Sequence, residues 1–192
     1  LMRTEALIIK RLRELIDWHV DQQTDAILVL GTTAETPTLT VSEEDEIARI
    51  SIEQAKGRVP DHRRSGSNNT MVAIEQSLKY EKMGADGLLV ITPYYNKTSK
   101  AGMVNHFMQV ADAVHTPVYV YNVPGQNGRI PYLRSTGGDQ PAQEHRGDQG
   151  SSGNMSLICK FSKLINENFN VYSGNDDINV ASCPWAARDP SP

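Results

Sequence analysis

Three short apolar segments constrain most strongly how this chain can fold: residues 26–30, 88–91 and 118–121. Each is too short to cross a membrane, and a strand formed by such a continuous apolar run is buried on both faces. The stretches between them carry apolar residues every three or four positions, as amphipathic helices do. Buried strands that alternate with amphipathic helices predict parallel βα units.

The helix limits follow from the same spacing and from capping residues. The predicted helices cover about 5–19, 40–56, 69–84, 103–114 and 157–165. Thr40 and Glu43 form a capping-box pattern, Asn69 or Thr70 is the expected cap of the third helix, and Gly84 its expected end. A further strand is predicted over 171–173.

This alternation fits a doubly wound sheet and a (β/α)8 barrel equally well. The GxGxxG loop of a dinucleotide-binding sheet does not follow the first predicted strand. Polar residues gather where the strands end, which is the face that carries the site of a barrel. We therefore predict an α/β fold, a (β/α)8 barrel. A complete barrel needs about 250 residues, so a truncated barrel is expected over 1–180, followed by an unpatterned tail at 181–192.

Two further stretches depart from the alternation. Residues 134–152 are rich in Gly, Gln, Asp and Ser, a composition that predicts a loop or disorder. Residues 61–64 read Asp-His-Arg-Arg at a place where a buried strand is due. Charges left unpaired there cost several kcal/mol each, so we expect strands missing from the core and a chain of low stability.

Composition removes several classes of function. The net charge of −4, with no run of Lys and Arg, argues against nucleic acid as a partner. Cys159 and Cys183 form no CxxC pair and are expected to be reduced thiols, and the five histidines lack the spacing of metal ligands. Neither a signal segment nor a membrane span is apparent, so a cytoplasmic protein without metal or cofactor is expected.

Four polar groups at strand exits are candidates for chemistry. The hydroxyls of Thr32 and Thr33 can hold a carboxylate or relay a proton, or they belong to an ordinary turn. Tyr94 and Tyr95 are expected to point opposite ways, one into a site and one into an interface, unless both are surface aromatics. Tyr121 is an acid–base candidate or a core tyrosine. Asp176 and Asp177, in the turn at 172–177, are better explained by turn chemistry than by a metal.

Taken together, these motifs resemble the dihydrodipicolinate synthase family of pyruvate-dependent class I aldolases, within the N-acetylneuraminate lyase superfamily. The resemblance extends over about residues 5–180 and rests on five ordered motifs. They are GTTAETPTL at 31–39, GSNNT at 66–70, TPYYNK at 92–97, YNVPG at 121–125 and YSGNDD at 172–177. The double threonine favours dihydrodipicolinate synthase over its sister, N-acetylneuraminate lyase.

The resemblance implies a mechanism. A barrel-strand lysine forms a Schiff base with pyruvate, and the enamine attacks L-aspartate semialdehyde in lysine biosynthesis. Tyr121 would transfer protons, Thr33 would relay them, and Thr32, Thr33 and Gly174 would hold substrate. Tyr95 would reach a neighbouring subunit's site in a homotetramer. Asn68 and Tyr94 match positions near the pocket of the inhibitor lysine.

The chain departs from the family at two places that matter. Aligning 152–154 with the family's strand places Gln149 where the lysine belongs, and an amide cannot form an imine. Gln126 replaces the arginine that receives the second substrate's carboxylate, which removes a bidentate contact. Lys160 is too far along the following helix to substitute. We therefore expect this chain to be inactive.

Possible codons for the unusual stretches encode residues that fit the expected pattern when the reading frame is shifted by one base. Asp148-Gln149-Gly150-Ser151 can be encoded GAT-CAA-GGA-AGC, which shifts to Ile-Lys-Glu-Ala. Residues 61–64 shift likewise to Ile-Ile-Ala-Gly, and the tail from Ser182 to Pro-Ala-Leu-Gly. We hypothesise reading-frame slips at all three places, the last of which ends the chain early. Resequencing tests this, and an intact frame at these positions in related strains rejects it.

Two alternatives stay open from the sequence. One is a different pyruvate aldolase, such as N-acetylneuraminate lyase, which the accepted aldehyde would distinguish. The other is a non-catalytic remnant that binds lysine or contacts another subunit.

Overall fold

A computed structural model describes residues 2–95, 98–122, 145–150 and 170–173, and gives only the backbone for 2–7, 100, 122 and the last two segments. Four helices lie in these ranges: α1 (Met2–Asp21), α2 (Val41–Ala55), α3 (Thr70–Met83) and α4 (Lys100–Ala113). The six strands there are β1 (Ile27–Val29), β2 (Asp61–Arg64), β3 (Gly87–Ile91), β4 (Val118–Asn122), β5 (His145–Gly150) and β6 (Asn170–Ser173). The helix predicted at 157–165, the two cysteines and the tail lie outside the described residues.

The six strands form one sheet in chain order, from β1 to β6, and every neighbouring pair is parallel. Helices α2, α3 and α4 each connect two consecutive strands. A parallel neighbour requires such a crossover, because the chain must return to the same end of the sheet. The predicted alternation of strands and helices is therefore confirmed through β4.

The main core lies between the sheet and its helices. Leu88 and Val90 of β3 are fully buried there and pack with Phe107 and Val110 of α4, which are also fully buried. A smaller cluster joins α1 to α2 through Ile16, Ala55 and Val59. Burial of this apolar surface is the main force that holds the helices on the sheet.

The helix ends follow the predicted capping. The Thr40 side chain accepts a hydrogen bond from the backbone N–H of Glu43, whose carboxylate accepts one from the Thr40 N–H, so the capping box is confirmed. Asn69, and not Thr70, caps α3, since its side-chain oxygen accepts from two backbone N–H groups. Gly84 ends α3 at a φ of 92°, a conformation that glycine adopts without steric cost.

The prediction of a loop or disorder throughout 134–152 is wrong at 145–150, which form β5. This strand pairs with β4 on one side and with β6 on the other. Parallel pairing satisfies backbone N–H and C=O groups whatever the side chains are, so a polar segment held between two strands can still complete the sheet. Composition alone cannot reveal such a strand.

The prediction that the charges at 61–64 would leave a strand missing is also wrong, although part of the expected unpaired polar groups is present. These residues form β2, and Asp61 and Arg63 are buried at 3% and 0% exposure. The Arg63 Nη2 donates to the Asp61 carboxylate at 2.8 Å and to the Ala48 carbonyl at 2.9 Å. Within the described ranges, however, Arg63 Nε and Nη1 have no hydrogen-bond partner. Burial raises the pKa of Asp61 to about 6 despite the neighbouring guanidinium, so this ion pair is costly to bury.

We predict that Asp61→Val alone destabilises the protein by about 3–5 kcal/mol, because it leaves the Arg63 guanidinium buried without its counter-ion. The double change Asp61→Val with Arg63→Leu should be neutral or stabilising by about 1–4 kcal/mol, because both charges leave the core. Urea unfolding of the three proteins measures both effects.

The exposed pair of Arg49 and Glu46 provides the control. Both side chains are about half exposed, and removing an exposed ion pair changes stability by about 1 kcal/mol or less. A double variant at Asp61 and Arg63 that is much less stable than the wild type would show that the buried charges support β2.

A buried histidine joins α3 to α4. His106 is 3% exposed, and its Nδ1 lies 2.9 Å from the Thr70 hydroxyl. Its Nε2 has no hydrogen-bond partner among the described residues, and burial lowers the pKa of the imidazole. The folded protein therefore holds His106 neutral at a pH where the unfolded chain already binds a proton.

We predict that the free energy of unfolding falls as the pH drops below about 6.5, the ordinary pKa of histidine, and that His106→Gln reduces this fall. The stability that neutral His106 contributes is present above that pKa and is lost as the pH falls through the lowered folded value. His62, with a lowered pKa, and Asp61, with a raised one, are present in both proteins and cancel in the difference. Parallel pH profiles for the two proteins would contradict this role of His106.

Candidate active site at the carboxyl ends of the strands

All six strands are parallel, so their carboxyl ends lie along one edge of the sheet. The exits of β1, β2 and β3 carry the first three motifs, at 31–39, 66–70 and 92–97. Tyr121, Gln149 and Tyr172 lie near the ends of β4, β5 and β6. The topology therefore gathers at this edge the residues that the sequence identified as chemical candidates.

The loop after β1 consists of two short 3-10 helices, Thr32–Ala34 and Thr36–Thr38. Thr32 and Thr33 are exposed at its start, where their hydroxyls are accessible to a ligand. Thr36 is 7% exposed, and its hydroxyl donates to the Gly31 carbonyl at 2.9 Å. This bond fixes the fold of the loop behind the two exposed hydroxyls. Sequence reasoning missed Thr36, although a threonine five residues after a glycine that follows a strand is able to form this contact.

The exits of β2 and β3 touch each other. The Asn68 side-chain amide donates to the Tyr94 carbonyl at 3.4 Å. Gly66 lies against β3 so closely that a Cβ placed on it would collide with the backbone nitrogen of Ile91, so only glycine fits. The structure thus brings together Asn68 and Tyr94, the two residues that the resemblance associates with an inhibitor pocket.

The expectation that Tyr94 and Tyr95 point opposite ways is wrong. Their rings meet edge to face, with centroids 5.4 Å apart and an interplanar angle of 80°. Tyr95 has a φ of 67°, so the backbone leaves the extended conformation in which neighbouring side chains alternate. The residue is 86% exposed, and a bulky residue with positive φ is strained, as residues at functional sites often are.

Tyr121, Gln149 and Tyr172 lie at one level of the sheet. Tyr121 is the register partner of Gln149 across β4 and β5, and Gln149 is the partner of Tyr172 across β5 and β6. Adjacent strands are about 4.8 Å apart, so position 149 lies next to the Tyr121 backbone. The pairing rests on backbone contacts and is independent of the motif alignment that matched Gln149 to the lysine position.

Tyr121 is directed to the face of the sheet away from the helices. Val118 and Val120 of β4 belong to the core beneath the helices, so Tyr119 and Tyr121 occupy the opposite face. On that face the ring of Tyr119 packs against His62 at a centroid distance of 4.7 Å. Gly87 lies between them, and a Cβ there would come within 3 Å of both rings. The packing of Tyr119 against His62 therefore fills part of the sheet face to which Tyr121 also belongs.

Several predicted residues lie outside the described ranges: Gly174, Asp176, Asp177, Gln126 and Lys160. In the ranges that are described, no group of three His, Cys, Asp or Glu side chains is arranged to hold a metal ion. The described helices also include none with the length and apolar character needed to cross a bilayer.

Residues 2–187 match the model of the Dihydrodipicolinate synthetase family. The 4-hydroxy-tetrahydrodipicolinate synthase 1 of Clostridium acetobutylicum is 39% identical over 166 residues, which are 86% of this chain and 57% of that protein. The chain therefore spans somewhat more than half the length of the curated relatives that it matches.

The fold is also that of known structures. Dihydrodipicolinate synthase from Aquifex aeolicus superposes with a TM-score of 0.84 at 34% identity, covering 93% of this chain and 61% of that one. The described strands and helices are accordingly part of a (β/α)8 barrel, with the candidate residues at the catalytic face of that class of fold. The chain belongs to the dihydrodipicolinate synthase family, and the curated relatives that it matches are lyases named 4-hydroxy-tetrahydrodipicolinate synthase.

Two similar structures contain ligands. The enzyme from Acinetobacter baumannii, in complex with pyruvate, has a TM-score of 0.80 at 30% identity and covers 93% of this chain and 62% of that one. The enzyme from Cyanidioschyzon merolae, with lysine bound, has a TM-score of 0.78 at 28% identity and covers 92% and 60%. Pyruvate and lysine are two of the three small molecules that the resemblance implied, the third being L-aspartate semialdehyde.

We predict that Thr36→Val loosens the loop after β1. Losing the bond to the Gly31 carbonyl should cost about 1 kcal/mol and leave that part-buried oxygen with one donor fewer. Hydrogen exchange should accelerate at the amides of Ala34 and Glu35, which close the first 3-10 turn. Thr38→Val is the matched control, because the Thr38 hydroxyl makes an equivalent bond, to the Glu35 carbonyl, at an exposed position. Equal exchange in the two variants would contradict a special role for Thr36.

Proposed function

We propose that this chain carries the pyruvate site of a 4-hydroxy-tetrahydrodipicolinate synthase but cannot perform the covalent step. The observation that carries the proposal is the register of β4 and β5, in which Gln149 is the partner of Tyr121. The motif alignment puts the lysine that attacks pyruvate at position 149, and the register puts that position beside the tyrosine proposed to transfer protons.

The missing step is a specific one. A neutral lysine amine adds to the carbonyl carbon of pyruvate and water leaves, which gives the imine. Loss of a methyl proton then gives the enamine that attacks L-aspartate semialdehyde. The nitrogen of a glutamine amide shares its lone pair with its own carbonyl, so it does not add to a ketone. Gln149 can offer pyruvate only hydrogen bonds.

Binding can persist without this step. The hydroxyls of Thr32 and Thr33 are exposed at the exit of β1, and we assign them to the carboxylate of pyruvate, with Gly174 as a further substrate contact. Tyr121 remains the candidate for proton transfer, with Thr33 as relay. The pyruvate complex of the A. baumannii relative supports this assignment of ligand.

We further propose that the exits of β2 and β3 bind lysine. The contact between Asn68 and the Tyr94 carbonyl supports this, as does the lysine complex of the C. merolae relative. Tyr95, which is 86% exposed, is proposed to enter the site of a neighbouring subunit in a homo-oligomer. If lysine binds while pyruvate forms no adduct, the chain is a regulatory remnant of the enzyme.

We predict that borohydride reduction in the presence of pyruvate leaves the wild-type chain without an adduct. Gln149→Lys should gain one reduced pyruvate, mapped to residue 149 by mass spectrometry. Gln149→Met is the control. Its side chain is as long as that of glutamine but has no amine, so this variant should stay unlabelled. An adduct on any residue of the wild-type chain would show that the chain is not inactive.

The lysine variant could stay unlabelled only because the polar β2 disturbs the fold, so Gln149→Lys is also tested in a second variant of the chain. Asp61→Ile, His62→Ile, Arg63→Ala and Arg64→Gly together restore an apolar β2, and Gln149→Lys can be placed on them. An unlabelled lysine in both backgrounds, with the chain folded, would refute the assignment of position 149. If an adduct does form, comparing turnover with L-aspartate semialdehyde and with N-acetylmannosamine distinguishes this activity from that of a neuraminate lyase.

A further inference from the structure

Arg64, the last residue of β2, lies on the face of the sheet away from the helices. Its two neighbours face the helices: the Arg63 guanidinium donates to the Ala48 carbonyl of α2, and the Ser65 hydroxyl accepts a hydrogen bond from Ser77 of α3. Neighbouring side chains of a strand alternate between its faces, so position 64 belongs to the opposite face. We call this the inner face of the sheet, and it also carries the candidate catalytic tyrosine of β4.

The hydroxyl of Thr33 lies close to the same inner face. Leu28 of β1 is the register partner of His62, whose ring packs against Tyr119 on that face. A Cβ placed on Gly31 would lie 3.8 Å from the Leu28 Cδ2 and 4.0 Å from the Thr33 Oγ1. The loop after β1 therefore turns its Thr33 hydroxyl toward the side of the sheet on which Arg64 lies.

The exits of β1 and β2 are adjacent at this level. Val29, the last residue of β1, is the register partner of Arg63, so the chain leaves β1 directly beside Arg64. Adjacent strands are about 4.8 Å apart. The exposed Thr32 and Thr33 follow within the same loop, and the long stem of an arginine side chain is able to span this separation.

Arg64 lacks an acceptor in the part of the chain that the structure describes. Its Nε is buried there without a hydrogen-bond partner, and no ion pair joins its guanidinium to a described carboxylate. Burial raises the pKa of Glu44, in the first turn of α2, and the charges of Lys79 and Arg64 oppose this rise. A buried guanidinium N–H without an acceptor is unfavourable, so a ligand that supplies an anionic oxygen would bind with a matching gain.

We propose that Arg64 binds the carboxylate of a short 2-oxo or 2-hydroxy acid, which lies between its guanidinium and the hydroxyls of Thr32 and Thr33. The assignment rests on the proposed function, because that function places pyruvate at the two threonines. A guanidinium presents its N–H groups as a planar fork that matches a carboxylate, and such charge-assisted bonds are about twice as strong as neutral ones. Arg64 is thereby the residue that selects an anion over a neutral ligand.

This contact gives the chain a binding mode that needs no covalent bond. The amide of Gln149 forms no imine, so the ketone of pyruvate contributes only hydrogen bonds and the carboxylate carries the binding. Lactate has the same carboxylate without the ketone, and we expect it to bind about as tightly as pyruvate. Methyl pyruvate keeps the ketone without the charge, and we expect it to bind about tenfold more weakly.

NMR titration of the full chain with pyruvate, lactate and methyl pyruvate at low ionic strength tests the proposal. Arg64→Gln should weaken pyruvate binding by about tenfold and remove the advantage of pyruvate over methyl pyruvate. Arg64→Lys keeps the charge without the fork and should recover part of the affinity. Arg58→Gln is the matched control, because it removes the same charge from a 42% exposed side chain beyond the end of α2 and should change no affinity. Circular dichroism checks that each variant is folded.

A double variant separates a direct contact from a balance of charges. Arg64→Gln also removes a positive charge that acts on Glu44, and a less balanced carboxylate would itself repel an anion. Glu44→Gln combined with Arg64→Gln removes both charges and should bind pyruvate as weakly as Arg64→Gln alone. Recovery of the wild-type affinity in the double variant would overturn the contact.

Three further results would overturn the proposal, and they differ in what they imply for the proposed function. If Arg64→Gln binds pyruvate as tightly as the wild type does, Arg64 is not a contact and the proposed pyruvate site stands. If the wild type binds none of the three ligands, the pyruvate site fails together with Arg64. If Arg64→Gln weakens all three ligands equally, Arg64 supports the structure of the site and does not select the carboxylate.

Discussion

The parallel backbone pairing of the six strands is the constraint on which the rest of this structure depends. Each strand is fixed by hydrogen bonds to its neighbours, and each helix must then return the chain to the same end of the sheet. This places every strand exit at one edge, whatever the exits contain. The topology therefore determines where the candidate active site lies, and the side chains at the strand exits determine its chemistry.

Backbone pairing also explains how the sheet includes two strands, β2 and β5, whose polar side chains are unfavourable in a buried strand. In β2, Asp61 and Arg63 are buried and offset each other's charge, while Arg63 Nε and Nη1 stay unpaired in the described ranges. In β5, the polar run from His145 to Gly150 lies between β4 and β6. In both places the backbone makes the contacts of a strand although the residues lack the apolar character of one. A shift of the reading frame that replaced apolar residues in an inherited strand would give this combination.

Much of the fold could be predicted from the sequence where local signals and burial agree. Strand β3 is apolar throughout and fully buried, and the caps of α2 and α3 use the residues that their patterns indicated. Prediction failed at β5, because its existence depends on partners distant in the chain. It failed at Tyr95 as well, since a positive φ in a tyrosine is imposed by surrounding structure and leaves no trace in composition. The resemblance assigned roles to positions 121 and 149, but their proximity and register required the sheet.

The central claim is that position 149 lies in the sheet beside Tyr121. Amide hydrogen exchange at residues 147–150 tests it most directly, because these residues have register partners in β4 and β6. The account predicts that their amides exchange orders of magnitude more slowly than in an unstructured peptide, at rates close to those of β4. Exchange at the rate of an unstructured peptide would contradict the account, because β5 would then not be part of the folded sheet.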